Sequence, residues 1–269
     1  MKLVLSLACA LLLAADVHYA VAQPPPVELR LMTYNIQAGG GNLEGIAEVI
    51  RSSGATLVAL QEVDVHWDKR SDFADQATEL SRLLGLQVRF APIYRLPGAD
   101  SLSPPREYGV ALLSRHPIVA FTNHAITRLS TQGNDASPTP MPGFLEVTID
   151  VRGQRVRVFN THLDYRGDPA VRRQQVSESL AIIGDAATPV LMFGDLNAVP
   201  TAPELQPLFT RLHDGWPDSA GTGFTYPAAK PVRRIDYVLA SAHVRVIFAR
   251  VLDAQASDHR PVVMDVVIR

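Results

Sequence analysis

The sequence predicts an α/β fold in which two mixed β-sheets pack face to face and are flanked by helices, four layers in all. Three observations lead there. Short apolar runs of strand length recur along the whole chain. Segments with helical spacing fall between these runs instead of forming a separate block. The strand candidates also divide into two β-rich halves, which suggests a sandwich covered by helices.

Taken in order, Leu29 to Ile36 is the first strand, and Gly39-Gly40-Gly41 follows as a loop. Leu43 to Arg51 carries apolar residues at Leu43, Ile46, Ala47 and Ile50, the 3.6-residue spacing of a helix, with Gly54 as its C-cap. Leu57 to Leu60 is a buried strand, and Phe73 to Leu84 a second helix stopped by Gly85. Strands follow at Val110 to Leu113, Val119 to Ile126, Val147 to Val151 and Val156 to Leu163. Val171 to Ile183 is a helix and Val190 to Phe193 another buried strand. Ile235 to Leu239, Val244 to Val251 and Val262 to Ile268 complete the set. Segments 97–106 and 132–142 are rich in Pro, Ser, Gly and Asp and predict surface loops at a substrate rim.

Composition bounds the function classes. The 269 residues are 47% hydrophobic and 19% charged, enough for one sizeable core. A formal net charge of -2 gives no global basic footprint for nucleic acid. Lys2, the apolar stretch Leu3 to Ala15 and the small-residue site Ala20-Val21-Ala22 occur in signal-peptide order. The expectation is therefore a signal peptide over 1–22, cut after Ala22, a linker over 23–28, and one catalytic domain over 29–269. A secreted or periplasmic protein with no membrane anchor after cleavage follows. The lone cysteine, Cys9, falls inside the signal, which excludes disulfides, thiolate nucleophiles and cysteine metal sites from the mature chain. Nothing in the pattern signals an oligomer, so a monomer is expected.

The chemistry lies in polar residues clustered just after apolar strands. They are Asn35 in Tyr34-Asn35-Ile36, Glu62 in Gln61-Glu62-Val63-Asp64, and Asn160 and His162 in Asn160-Thr161-His162-Leu163. Next come Asp195 and Asn197 in Gly194-Asp195-Leu196-Asn197-Ala198, Asp236 in Arg234-Ile235-Asp236-Tyr237, and Asp258 and His259 in Ser257-Asp258-His259-Arg260-Pro261. Carboxylates and amides beside apolar strands cost stability unless they are paired or bind metal. Glu62, Asn35 and Asp258 are hard oxygen donors suited to Mg²⁺ or Mn²⁺. An Asp and a His can align and activate water. Asn and His donors can stabilise charge on a phosphoryl group.

In that order, and with Leu112-Leu113-Ser114-Arg115 between them, these motifs closely resemble the endonuclease/exonuclease/phosphatase superfamily, over residues 29–269. The resemblance implies the DNase I-like sandwich and a Mg²⁺- or Mn²⁺-dependent phosphoric ester hydrolase. It implies Glu62 as principal metal ligand with Asn35 beside it and Asp258 contributing. Asp195 would orient or deprotonate the attacking water, and Asn197 would hold that water or a phosphoryl oxygen. His162 would contact the scissile phosphate; His259 would contact it or act as acid/base, with Asp236 orienting its imidazole. Asn160 and Arg166 are candidate phosphate contacts. A phospholipid headgroup, a sugar or inositol phosphate, and nucleic acid all remain open as substrate.

Plainer readings stand beside these. Asn35, Glu62, Asp195 and Asp258 could close turns or cap helices. Asp236 could pair with Arg233 or Arg234. Arg172 and Arg173 are expected on a solvated helix face, Tyr108 and Glu107 as structural residues, and His66, Trp67, Lys69 and Arg70 as surface or substrate rim. The glycine run lacks a P-loop lysine and is expected to be a plain loop. In function, the alternatives are a nuclease of the same superfamily and, from a different class, a non-catalytic binding module, which would normally lose the glutamate, the Asp-x-Asn or the Asp-His pair.

Overall fold

The computed structural model describes residues 25–133, 137–185 and 187–269, so the expected signal peptide at 1–22 lies outside the described residues. Among the described residues, twelve strands form two six-stranded sheets. The first half supplies β1 (Val27–Asn35), β2 (Leu57–Val65), β3 (Gln87–Leu96) and β4 (Arg106–Ser114), with helices α1 (Leu43–Ser53) and α2 (Gln76–Leu84). The second supplies β5 (Ile118–Leu129), β6 (Pro138–Val151), β7 (Gln154–His162), α3 (Ala170–Ile183), β8 (Val190–Asp195), α4 (Gln206–Arg211), β9 (His213–Asp214) and β10 (Asp236–Ala240). β11 (Val244–Val251) and β12 (Val262–Ile268) return to the first sheet, whose order is β11-β12-β1-β2-β4-β3. The second sheet runs β5-β6-β7-β8-β10-β9. Both are mixed: β1 is parallel to β2 and antiparallel to β12, and β7 is parallel to β8 while β10 is antiparallel to it.

Strand alternation builds the layers. On β1, Leu31 points between the sheets, where it meets Leu57, Leu112, Val147, Val158 and Phe193 in a core drawn from both. Its neighbour Met32 points outward with Tyr34, Val58 and Leu60, under the apolar faces of α1 and α2. Phe159, Met192 and Tyr237 do the same on the other side, under α3 and α4. Strands buried on both faces read as continuous apolar runs, which is why they were legible.

Helix ends follow local chemistry. Asn42 caps α1 by accepting from Gly45 N at 2.8 Å, and Gly54 ends it in the left-handed conformation at φ 69°. α2 begins at Gln76, not at Phe73, because Asp75 is its N-cap, accepting from Thr78 N at 2.9 Å. β3 is an edge strand that the sequence hid, because Pro92 and two arginines break its apolar run. β6 starts at Pro138, so the last five residues of the second expected loop are strand, and β1 takes up the last two residues of the expected linker.

Candidate active site

The ends of both sheets meet at one edge of the sandwich. Asn35 ends β1, and Glu62 lies near the end of β2. In the second sheet, register places His162, Asp195 and Asp236 in one row across β7, β8 and β10. Asp258 and His259 arrive on the loop before β12. That loop is seated against the glycine run, where a Cβ on Gly40 would stand 2.7 Å from the carbonyl oxygen of Ala256. Only glycine allows this approach, so the run supports the Asp258–His259 loop. Two site residues adopt left-handed backbone that non-glycine residues rarely take, Glu62 at φ 56° and Asn197 at φ 52°. Glu62 does so where β2 slips register against β4, between Leu60 and Val63.

Asp195 is the centre. It is buried, and its Oδ2 lies 3.1 Å from Asn35 Nδ2, 3.6 Å from His162 Nε2 and 3.7 Å from His259 Nε2. Its Oδ1 accepts from Asn197 N at 2.9 Å. Burial, with the neighbouring Asp236 charge, holds its carboxyl above the usual range. His259 Nδ1 sits 2.9 Å from Asp236 Oδ2, in contact with the Tyr226 ring at 4.8 Å between centroids. Burial opposes the imidazolium, but the charge and hydrogen bond of Asp236, with Asp195 and Asp258, prevail and raise His259 to about 10. Asp236 Oδ1 is buried without a partner among the described residues, so His259 carries the compensation of that carboxylate. Arg234 pairs with Asp214 instead, which excludes the plain Asp236–Arg234 pair.

Glu62 and Asp258 form the second group. Asp258 is raised above the usual carboxylate range, first by burial and also by the Glu62 charge. Two hard carboxylates that repel each other fit a divalent cation of the Mg²⁺ or Mn²⁺ type. Asp195, Asp236 and His259 also converge closely enough to hold an ion, yet the Asp236–His259 contact is already a hydrogen bond. Glu62 and Asp258 are thus the carboxylates left open to hold such an ion. Asn35 departs from its expected place. Its Oδ1 accepts from Gln37 N at 3.0 Å, which turns Nδ2 toward Glu62 Oε1 at 2.9 Å. It holds the glutamate in position and presents its donor, not an oxygen, to the carboxylates.

Two further expectations are corrected. Asn160 is no phosphate contact: it is fully enclosed between the sheets, accepting from Gln61 Nε2 at 2.7 Å and donating to Leu60 O and Ala111 O, each at 2.9 Å. Arg172 is not solvated; it is buried, with Nε and Nη2 both donating to Glu204 Oε1 and Nη1 to Asp164 O at 3.0 Å. Arg166 does reach the cleft, held by Asp164 and by Leu129 O. Asn197 donates to Leu163 O at 3.0 Å, and its side-chain oxygen has no hydrogen-bond partner among the described residues.

The cleft encloses about 460 Å³ and is walled by Glu62, Asp258, His162 and His259, with Trp67, Tyr94 and Tyr108 on one flank. Tyr108 and Arg70 thus belong to the wall, the latter with Nε and Nη2 bound to the two oxygens of Asp64 at 2.9 and 2.8 Å. Tyr94, Arg128 and Tyr226 were missed, each being an isolated polar or aromatic residue in an ordinary strand or loop.

The model of the Endonuclease/Exonuclease/phosphatase family matches residues 32–259. An endonuclease/exonuclease/phosphatase from Beutenbergia cavernae DSM 12333 is 28% identical, with a TM-score of 0.69, over 90% of this chain and 72% of that one. The human Nocturnin catalytic domain shares the fold at 22% identity and a TM-score of 0.67, over 91% of this chain and 97% of that one. So does a mannosyl-6-phosphatase from Bacteroides thetaiotaomicron VPI-5482, at 16% identity and a TM-score of 0.67, over 89% of this chain and 100% of that one. No curated protein matches by sequence.

Proposed function

The chain belongs to the endonuclease/exonuclease/phosphatase family, and on that premise we propose that it is an exported, Mg²⁺- or Mn²⁺-dependent phosphoesterase that hydrolyses a phosphate ester by in-line attack of water. One observation carries the proposal: the buried Asp195 carboxylate is faced by two histidine Nε2 atoms, at 3.6 and 3.7 Å, while two further carboxylates stand at the mouth of the same cleft. Export rests on the N-terminal pattern of Lys2, the apolar stretch and Ala20-Val21-Ala22.

Asp195 takes the proton of the attacking water on Oδ2 as the water oxygen bonds to phosphorus; the ester oxygen opposite leaves with the pair of the broken P–O bond and takes a proton from solvent. The raised carboxyl of Asp195 is a better base than an exposed aspartate. Asn197, with its carbonyl oxygen free, accepts from that water and orients it. His259, kept as imidazolium by Asp236, donates from Nε2 to a phosphoryl oxygen as negative charge builds there, and His162 Nε2 does the same from β7. Glu62 and Asp258 would hold the divalent cation, which when bound neutralises phosphoryl charge and polarises the ester. Asn35 keeps Glu62 aimed.

The size of the cleft and the formal net charge of -2 favour a small phosphate ester, such as a sugar or inositol phosphate or a lipid headgroup, over a polyanionic duplex. Cleavage of bis-p-nitrophenyl phosphate, inositol phosphates, sphingomyelin, plasmid DNA and an abasic duplex tests this, with Mg²⁺, Mn²⁺ or EDTA and Asp195→Ala as control. EDTA-sensitive activity lost in Asp195→Ala is the expected result. Preference for DNA would select the nuclease alternative. Failure both to turn over any ester and to bind metal would leave the binding module.

A further inference from the structure

Arg128, next to the end of β5, reaches across the edge of the second sheet. Nε donates to Pro142 O at 3.0 Å, Nη2 to Gly143 O at 3.0 Å and Nη1 to His162 O at 2.7 Å. It is only 6% exposed, yet it lines the cleft beside His162. Among the described residues no carboxylate lies within 4.0 Å of it. Asp164 acts on it from further away and is already closed on Arg166. Burial pushes its pKa down to about 10, as expected of a charge short of a counter-ion.

Space has been made for this side chain. Gly143, at φ 107°, has no Cβ; one placed there would stand 3.2 Å from Arg128 Nη2 and 2.2 Å from Ile93 Cγ1. A guanidinium has five N–H donors and cannot discharge its cation by ionising near neutral pH. Three donors are taken by backbone carbonyls, which fix the group but bring no negative charge. The other two have no acceptor within hydrogen-bond distance among the described residues, on a side chain that lines the cleft. A buried charge without a partner is costly, and a neutral donor would have satisfied the carbonyls.

We propose that Arg128 is the substrate-anion anchor of this cleft: on the β6 side of His162, its remaining N–H groups bind oxygens of the phosphate that enters. The proposal rests on the phosphoesterase reading only for the identity of the anion. The backbone carbonyls hold the guanidinium ready, so little ordering is needed when the anion arrives.

Inorganic phosphate is the probe, titrated calorimetrically into the full protein in EDTA. Arg128→Met should weaken phosphate binding by roughly 10- to 100-fold, and Arg128→Lys by less, because charge is kept while the fixed fork is lost. A structural role alone would lower thermal stability and leave the phosphate affinity of the folded protein unchanged, which would overturn the proposal. Should Arg128→Met not fold, a crystal structure of the unaltered protein with phosphate decides. Phosphate oxygens within hydrogen-bond distance of Arg128 support the anchor, and a phosphate bound elsewhere in the cleft ends it. Phosphate binding that depends on Arg128 in a protein that hydrolyses no ester would keep the anchor and remove the phosphoesterase reading. Ester hydrolysis with phosphate binding indifferent to Arg128 would do the reverse.

Discussion

Gln61 Nε2 donates to Asn160 Oδ1 at 2.7 Å and ties β2 of one sheet to β7 of the other, directly behind the cleft. Asn160 also satisfies Leu60 O and Ala111 O, so one side chain closes three buried polar groups of the first sheet. Asn160→Ala would remove all three of these buried hydrogen bonds, at a cost on the order of 3 kcal/mol. The expected outcome is a fall of roughly 6–12 °C in melting temperature, with phosphate affinity of the folded protein retained. Unchanged melting together with lost phosphate binding would return Asn160 to the phosphate site.

Asp195→Ala and His259→Ala should each lower ester hydrolysis by about 10²- to 10⁴-fold. Circular dichroism should remain native, since neither change opens the apolar core. Near-normal turnover in either variant would overturn the assignment of water activation to Asp195 or of phosphoryl stabilisation to His259.

The Asp236–His259 pair makes a pH prediction for the metal-free protein. The folded value of His259 is raised to about 10, above its ordinary value, so the contribution of the pair to stability is fully present below about pH 6.5 and is lost as pH rises through about 10. Imidazole resonances followed by NMR should show His259 still protonated at neutral pH, and Asp236→Asn should bring its midpoint down. A wild-type midpoint at or below the ordinary histidine value would end the imidazolium assignment.

The sandwich and its inner site were legible because both rest on the same signal. Strands buried on both faces read as apolar runs, and polar residues at the ends of such runs stand out: Asn35, His162 and Asp195 close their strands, Glu62 lies near the end of β2, and Asp236 opens β10. The same signal misled at Asn160, where a polar residue follows apolar neighbours but its side chain turns inward between the sheets, not toward the cleft. Arg172 was misjudged because charge on a helix ordinarily faces water, and its buried partner Glu204 lies 32 residues away. Arg128 escaped notice for a related reason. Its partners are backbone carbonyls of β6 and β7, which no side-chain pattern records.

Metal dependence separates Glu62 from Asn35. Glu62 is the carboxylate assigned to the cation, and Asn35 acts on it through the 2.9 Å bond from Nδ2 to Oε1. Removing a ligand should cost more than removing the group that aims it, for which roughly 10- to 100-fold in metal affinity is typical. In Mn²⁺ titrations followed by paramagnetic relaxation, Asn35→Ala should weaken binding by about that factor, and Glu62→Ala by more. Glu62→Gln should resemble Glu62→Ala, since it keeps the shape and loses the charge. Equal effects of Asn35→Ala and Glu62→Ala would place both side chains on the ion, as the sequence first suggested. An unchanged titration in Glu62→Ala would move the cation to the Asp195, Asp236 and His259 group, whose donor atoms also lie within 4.8 Å of one another.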